Sequence, residues 1–353
     1  MTSGSTSWIS WLRALAIVGV IVIHTAGFDA AAQDARSTVH GTVALWLRTG
    51  AICAVPLFVL LSGSVLLDPR RYTDHATFLR KRAVRLVPAL VFWHLWYWAL
   101  ISYQAGQVLP WRDVVVRTVN GNLYTALYFF WIIIGLALFT PVLVPFLRES
   151  SRRAILVAGF TLAAIPALSV ATMRTRGAPV AMLESAWTWW FGYLGLFVLG
   201  WGLRGVRVRG VALVALSAAT VALGALGCWQ WRNPEPPVWL QTVSPVGYYG
   251  AGTVAYAIGV FLVVQALIQP DGALSFLTRG GAARLGTLLG SATLGVFGFH
   301  LTIVWLMPRL GIGGDEYVTG ALAPLLLRLT VAIVVSYAVV LVLRKVPYIR
   351  AVL

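Results

Sequence analysis

Long apolar runs separated by short polar connections dominate this chain. Ten runs are long enough to cross the hydrocarbon core of a bilayer as helices, which needs about 20 residues. They cover residues 8–28, 43–67, 86–105, 123–147, 154–172, 187–203, 211–229, 246–268, 285–307 and 319–343. This pattern predicts an all-α integral membrane protein, a bundle of about ten transmembrane helices. The connections are short, so we expect one domain over residues 1–353 with no appended soluble domain.

The first apolar run, 8–28, contains two ionisable residues, Arg13 and His24. Ionisable side chains inside a membrane span are costly and rare, and they usually lie on a functional path. A separation of eleven residues places them roughly 16 Å apart along a helix and on nearly the same face. The helix would then present a cation near one membrane surface and an imidazole near the other. We expect the rest of the chain to supply the walls of this buried axis.

Composition supports the membrane assignment. The chain is 59% hydrophobic and only 11% charged, whereas soluble domains carry about 25% charged residues. The net charge of +16 would suggest nucleic-acid binding in a soluble protein. Here the positive-inside rule and anionic head groups explain it, so we expect contact with membrane lipids and no nucleic acid. The connections alternate in charge: one set carries seventeen Lys and Arg residues and the other set carries eight. The more basic set is expected on the cytoplasmic side, which predicts that both termini are cytoplasmic.

Arg48 lies just inside the end of the second apolar run, and three more ionisable residues fall deeper inside apolar runs. His94 lies among tryptophans and is interpreted as a packing residue, whereas the pattern around His300 leaves packing and function open. Arg328 lies near the middle of the tenth run and needs an anionic or carbonyl partner. None of the eleven acidic residues lies inside a predicted span. We therefore expect the partner of Arg328 to come from a loop or a substrate.

Two short motifs lie on the predicted cytoplasmic side. Arg82 and Arg85 are three residues apart, so they share a face of a helix that enters the third span, and Pro88 does not prevent this if it lies in the first turn. Paired guanidinium groups suit a pyrophosphate or a phosphorylated ribose. The alternative is a basic cluster that only fixes topology and contacts lipid head groups. Ser62 and Gly63 indicate either close helix packing or an approach to a phosphate or thioester.

Other chemistries lack a signature in this sequence. There is no Gly-rich phosphate loop, no Cys/His metal-ligand spacing and no nucleophilic serine elbow. We therefore expect no metal site. Cys53 and Cys228 lie in apolar surroundings, which favours two small buried hydrophobic residues over a disulfide.

Taken together, these residues resemble the acyltransferase 3 family of membrane proteins. Arg13 and His24 match its Arg-x10-His signature, and Arg82 with Arg85 matches its cytoplasmic Arg-x-x-Arg motif. Three further features add to the resemblance: a Phe, Ser and Gly set in the second span (Phe58, Ser62, Gly63), a late Gly-to-His segment (Gly295 to His300), and ten spans with both ends inside. One departure is the segment 126–130, which lacks the family's His-Leu-Trp-Tyr-Leu pattern.

The resemblance implies an acyl-CoA donor, with acetyl-CoA expected, and a glycan or other hydroxyl-bearing acceptor outside the cytoplasm. It assigns Arg82, Arg85, Ser62 and Gly63 to donor binding. Arg13 and His24 become the expected catalytic residues, with His24 acting either as general base or as acyl carrier. His300 and Arg328 are secondary candidates, and a bacterial plasma membrane is the expected location.

Two other functions remain open from the sequence. A transporter or flippase for a lipid-linked saccharide or small organic acid could use Arg13, His24 and Arg328 as a path. The lack of carboxylates inside the predicted spans and of an internal repeat counts mildly against proton-coupled transport. An inactive family member serving as a structural partner is the third possibility.

Overall fold

The structure is a computed structural model that describes residues 6–177 and 185–353. Regular secondary structure in these residues is entirely helical, with fifteen α-helices and 3₁₀ segments at Phe191–Tyr193 and Ser275–Thr278. The helices are α1 (Ser7–Ala31), α2 (Val39–Gly50), α3 (Ala54–Leu66), α4 (His75–Ala105), α5 (Trp111–Val119), α6 (Tyr128–Glu149), α7 (Arg152–Thr175), α8 (Leu194–Leu203), α9 (Gly210–Arg232), α10 (Val238–Val243), α11 (Ala251–Leu267), α12 (Gly280–Ser291), α13 (Thr293–Arg309), α14 (Leu322–Leu343) and α15 (Pro347–Arg350).

Within the described residues, seven helical segments are long and apolar enough to cross a membrane. One of them, Val39–Leu66, combines α2 and α3. The pair α12 and α13, bent by 65°, would make an eighth span. Two predicted spans form only shorter apolar helices, Phe191–Leu203 and Ala251–Leu267. The all-helical membrane fold is confirmed, whereas the count of ten spans and the cytoplasmic termini stay predictions.

Helix α4 begins eleven residues earlier than the apolar run that predicted it. The side chain of Asp74 accepts a hydrogen bond from the backbone N–H of Thr77 at 2.8 Å and so caps the helix at its first turn. Arg82 and Arg85 consequently lie inside a continuous 31-residue helix. Pro88 lies well inside α4 and not in its first turn, and the helix is continuous through Arg82 and Arg85 all the same.

Helix α1 is longer than predicted and contains a buried carboxylate. It extends to Ala31, so Asp29 lies within a candidate span and is fully buried. The prediction that no acidic residue lies inside a span was therefore wrong. Two hydrogen bonds stabilise the carboxylate, since Oδ1 accepts from the backbone N–H of Thr319 at 2.8 Å and from its hydroxyl at 2.6 Å. Burial of a charge is tolerated when such bonds replace water.

The helices group into two compact units, and the first comprises Met1–Phe58 and Gly205–Lys345. Within it, α1 contacts α2, α11, α12, α13 and α14, so five helices supply the expected walls of the first span. The contact with α12 is close at its glycines. A Cβ at Gly286 would lie 2.6 Å from Nε1 of Trp11, and one at Gly290 would lie 2.5 Å from the carbonyl oxygen of Ser10. Small residues four apart permit this approach.

The second unit comprises Val59–Arg204 and Val346–Leu353. Its most buried helix is α8, which packs against α7. Polar contacts secure one end of this unit, where the guanidinium of Arg204 donates to the carbonyl of Ser64 at 2.8 Å and lies 3.4 Å from the buried carboxylate of Asp68. The prediction of one domain over the whole chain stays a prediction.

Both cysteines behave as the sequence predicted. Cys53 and Cys228 are buried and free. Each thiol lies 3.8 Å from a backbone carbonyl oxygen, that of Gly50 for Cys53 and that of Trp46 for Cys228. They are small core residues of the first unit.

Candidate functional site

Two histidines meet inside the first unit. The imidazole of His24 on α1 lies opposite that of His300 on α13, with ring centroids 5.4 Å apart and ring planes inclined by 46°. His300 is fully buried, whereas His24 is half-buried. The sequence singled out both residues but gave no sign that they are neighbours. They form a pair in which His300 is fully enclosed and His24 keeps partial exposure.

The hydrogen bonds of His300 define its tautomer. Its Nδ1 lies 2.7 Å from the carbonyl oxygen of Phe297 and 3.2 Å from that of Val296. A carbonyl can only accept, so Nδ1 carries the hydrogen and, in the neutral ring, Nε2 carries the lone pair. That Nε2 atom is buried and has no hydrogen-bond partner among the described residues. The pair therefore contains an acceptor that is available to a donor beside it.

A guanidinium that the sequence analysis did not select completes this region. Arg48, in the last turn of α2, stacks on the ring of Trp231 at 4.2 Å. Its Nε lies 4.0 Å from where a Cβ on Gly27 would be, and its charge acts on His24. Gly27 follows His24 by three residues and shares its helix face. The cluster of His24, His300 and Arg48 is called the histidine site below.

Arg328, a secondary candidate, is hydrogen-bonded to a loop in the structure. Its guanidinium donates to the carbonyl oxygens of Ile312 at 2.8 Å, Gly314 at 2.7 Å and Tyr317 at 2.7 Å, and also to that of Glu316. The expected carbonyl partner is thus supplied by the loop that follows α13. These bonds account for Arg328 as the residue that holds this loop in shape.

The same loop is fixed to the end of α1. Asp29 binds Thr319 through the two hydrogen bonds described above, and the ring of Phe28 packs on that of Tyr317 with centroids 4.8 Å apart. Phe28 lies one turn beyond His24 on α1. The loop is therefore anchored within about one and a half helical turns of His24.

Arg13 lies at the other end of the same helix. It is half-buried, and α1 is continuous from Ser7 to Ala31. The predicted separation of roughly 16 Å between Arg13 and His24 therefore applies. Arg13 does not join the histidine site but lies on the same helix.

Arg82 and Arg85 belong to the second unit. Arg82 is half-buried, its guanidinium lies 5.6 Å from the ring centroid of Phe78, and its Nε is buried without a hydrogen-bond partner among the described residues. Arg85 is exposed, and its charge acts on Arg82. Two neighbouring guanidinium groups on one face of α4 are suited to a phosphate. Whether they bind a donor stays a prediction.

Ser62 and Gly63, also in the second unit, lie where α3 approaches α8. A Cβ at Gly63 would lie 1.8 Å from the carbonyl oxygen of Phe197, and one at Gly200 would lie 2.0 Å from that of Leu60. This geometry accounts for Gly63 by helix packing. Ser62 is half-buried, and the proposed contact of this motif with a donor stays a prediction.

His94 in the second unit resembles His300 in its hydrogen bonding. Its Nδ1 lies 2.7 Å from the carbonyl oxygen of Leu90, and its ring meets that of Trp131 edge-on at 6.0 Å. These contacts agree with the packing role predicted for it. Among residues 6–177 and 185–353, no group of three or more His, Cys, Asp or Glu side chains could hold a metal ion.

The comparisons with known proteins bear on the activity. The model of the acyltransferase 3 family, described as an acyltransferase domain, matches residues 6–345. No curated protein and no solved structure matches the chain. The family match covers nearly the full length and includes α1 with its histidine as well as Val59–Arg204 of the second unit. The chain is a multi-pass membrane protein and belongs to the acyltransferase 3 family.

Proposed function

We propose that the protein is an O-acyltransferase that moves an acyl group, acetyl in the first instance, from cytoplasmic acyl-CoA to a hydroxyl of an extracytoplasmic or lipid-linked glycan. The observation that carries the proposal is the pairing of His24 with His300. A half-buried imidazole beside a buried lone-pair acceptor is an arrangement suited to moving a proton in a chain of an acyltransferase family.

In the first form of the mechanism, His24 acts as a general base. One ring nitrogen accepts the proton of the acceptor hydroxyl while that oxygen bonds to the thioester carbonyl carbon, and the carbonyl electron pair moves onto its oxygen. Collapse of this intermediate breaks the carbon–sulfur bond, and the imidazolium returns the proton to the leaving thiolate. A neutral imidazole at physiological pH suits this role, which contributes about 10²–10⁴ in rate.

The second form makes His24 an acyl carrier. The nitrogen of His24 that carries the lone pair attacks the thioester carbonyl carbon, the carbon–sulfur bond breaks, and the N–H proton of the acylated ring passes to the CoA thiolate, so that CoA leaves as the thiol. The acceptor oxygen then attacks the acyl carbon, the carbon–nitrogen bond breaks, and the hydroxyl proton returns to the imidazole. Both forms place the reacting carbonyl at His24. Detection of an acylated protein after mixing with acetyl-CoA alone would separate them.

For the donor, we propose that Arg82 and Arg85 bind the phosphates of CoA, with Ser62 and Gly63 near the donor. This rests on the family motif and on two neighbouring guanidinium groups, one of them with a buried N–H that forms no hydrogen bond among the described residues. Arg13 would neutralise negative charge or orient the pantetheine arm. A bacterial plasma membrane remains the proposed location.

One argument against the transporter alternative, the lack of carboxylates inside the spans, no longer holds, but no observation favours a transporter. Asp29 is a carboxylate inside a candidate span, so embedded acids are present after all. However, its Oδ1 is held by Thr319 in a loop contact. Membership of an acyltransferase family favours the enzyme.

Thermal unfolding of the purified protein with and without CoA tests the proposal against this alternative. Stabilisation by CoA at micromolar concentration, together with transfer of labelled acetyl groups to the envelope glycan fraction of membrane vesicles, is expected. Substrate counterflow in vesicles without any CoA, and no stabilisation by CoA, would instead indicate a transporter.

A further inference from the structure

We propose that Arg48 stabilises the negative charge that forms on the acyl carbonyl oxygen when the acyl group is transferred at His24. The inference rests on the proposed function and adds to it a residue that neither the family signature nor the sequence pattern selected. It assigns to Arg48 the role of an electrophilic catalytic residue of the histidine site.

The first step of the argument is position. Arg48 comes from α2 and approaches the face of α1 that carries His24, at the point where Gly27 has no side chain. A Cβ at position 27 would lie in ordinary van der Waals contact with the guanidinium Nε, 4.0 Å away, so a side chain larger than that of alanine would occupy the space beside it. The sequence thus leaves room for a cation next to the reacting imidazole.

The second step is an unused hydrogen-bond donor. Nη1 of Arg48 is buried and has no hydrogen-bond partner among the described residues, and no described carboxylate lies within ion-pair distance of the guanidinium. A buried donor atom of a cation that lacks such partners is costly. Arg328 in the same unit shows the alternative, since loop carbonyls accept from its guanidinium. Arg48 retains a donor that a bound anion or oxyanion would satisfy.

The third step is orientation. The guanidinium carbon of Arg48 lies over the ring of Trp231, 4.2 Å from its centroid, and a cation–π contact of this kind holds the planar group in place. Donors that are fixed in advance and aimed at developing charge are more effective than mobile ones, because no reorganisation is needed during the reaction. A guanidinium held between Trp231 and α1 meets this condition.

These features favour the acyl carbonyl oxygen as the group that Arg48 stabilises, and not a remote anionic group of the acceptor. In acyl transfer the carbonyl oxygen becomes negative at the moment when His24 has taken up a proton or become acylated. The Nε atom of Arg48 lies 4.0 Å from the Cβ position of Gly27, one helical turn from His24 on the same face of α1, so the guanidinium is on the side of α1 where that oxygen would form. We therefore expect Arg48 to affect the rate of transfer and not the binding of the donor.

The experiment compares Arg48→Gln and Arg48→Lys with the unaltered chain in membrane vesicles from source cells that lack the chromosomal copy. The probe is acetyl-CoA with a labelled acetyl group, and transfer to the glycan fraction is followed at saturating and limiting concentrations. Arg48→Gln should slow transfer roughly 100-fold with the KM for acetyl-CoA unchanged. Arg48→Lys should be intermediate, because it keeps the charge but loses the planar fork.

Arg309 provides the matched control. It stacks on Trp305 at the same distance of 4.2 Å but is exposed, and it donates to the carbonyl of Trp305. Arg309→Gln should leave transfer unchanged. Elution and thermal unfolding of each purified variant report whether it folds. If Arg48→Gln does not fold, Arg48→Lys provides the test: slowed transfer supports the inference, and transfer at the unaltered rate contradicts it.

The inference would be overturned if Arg48→Gln transferred acetyl groups within about threefold of the unaltered rate. It would also be overturned if saturating acetyl-CoA brought the rate of the variant back to the unaltered value. His24→Gln measured in the same vesicles keeps the two proposals apart. If His24→Gln is inactive while Arg48→Gln is fully active, only the role of Arg48 is wrong. If His24→Gln transfers normally, the proposed function itself fails.

Discussion

The rings of His24 and His300 lie 5.4 Å apart, and the buried Nε2 of His300 has no hydrogen-bond partner among the described residues. The Nδ1 of His300 points at the carbonyl oxygens of its own helix, so Nε2 is the acceptor of the neutral ring. An N–H of His24 is the natural donor for it. Such a bond would orient His24 and leave its second nitrogen free for the substrate, as the third member of a catalytic triad does for its histidine.

The first prediction concerns this orienting bond. His300→Phe, which keeps an aromatic ring but removes the acceptor, should lower the maximal rate of acyl transfer by about 10- to 100-fold. His300→Gln should restore part of the rate, because its side-chain oxygen can accept the same hydrogen bond. Transfer assays over a range of acetyl-CoA concentrations check this, and the KM for acetyl-CoA should not change.

His94→Phe is the control for this prediction. His94 is also buried and also binds a backbone carbonyl through Nδ1, but it is predicted only to pack. His94→Phe should therefore leave the rate of acyl transfer unchanged. Equal rates for His300→Phe and His300→Gln would show that His300 fills space and does not orient His24.

The second prediction concerns donor binding by Arg82 and Arg85. Arg82→Gln and Arg85→Gln should each weaken CoA binding by about 10-fold or more, because a charge-assisted hydrogen bond to phosphate is lost. Isothermal titration of the purified protein with CoA measures this. Arg80→Gln is the matched control, an exposed arginine of the same helix, and should bind CoA normally. Unaltered CoA affinity in both variants would leave the pair as a topology determinant.

The third prediction concerns the loop held by Arg328. Arg328→Gln leaves several loop carbonyls without a donor and should lower the free energy of unfolding by on the order of 3 kcal/mol. Arg328→Lys should not restore it, since one ammonium group cannot reach all of these carbonyls. Thermal unfolding in detergent and amide exchange of residues 310–320 report the change. If the loop stays protected in Arg328→Gln, the hydrogen bonds described here do not determine its structure.

The fourth prediction concerns Gly63. A Cβ there would lie 1.8 Å from the carbonyl oxygen of Phe197, so Gly63→Ala should separate α3 from α8 and reduce the yield of folded protein. Gly281→Ala is the control, because nothing lies within 4 Å of a Cβ at that helical position. Size-exclusion elution and thermal unfolding measure both variants. Normal folding of Gly63→Ala together with weak CoA binding would favour donor contact over packing.

The sequence predicted the helices well and their ends less well. Apolar runs determine where a helix can be buried in lipid, so α1, α6, α7, α9 and α14 lie where the hydrophobic pattern placed them. The ends depend on local contacts that hydropathy ignores. Asp74 caps α4 ahead of its apolar run, and the bonds from Thr319 allow α1 to include Asp29.

The histidine site was predictable in part. His24 and His300 are each recognisable as candidates from the sequence, because ionisable residues inside apolar runs are rare. Their pairing depends on how α13 packs against α1, which no local pattern encodes. In the sequence, Arg48 is one more basic residue near the end of a span. Its position beside the His24 face of α1 is visible only from its contact with Trp231 and from the space at Gly27.

Acyl transfer by His24→Ala in membrane vesicles supplied with labelled acetyl-CoA tests whether the reaction takes place at His24. The variant should bind CoA as the unaltered protein does, because His24 is not part of the proposed phosphate contact. Transfer to the glycan fraction should fall by about 10²–10⁴. Transfer at the unaltered rate by a folded His24→Ala protein would contradict the assignment of His24 as the reacting residue.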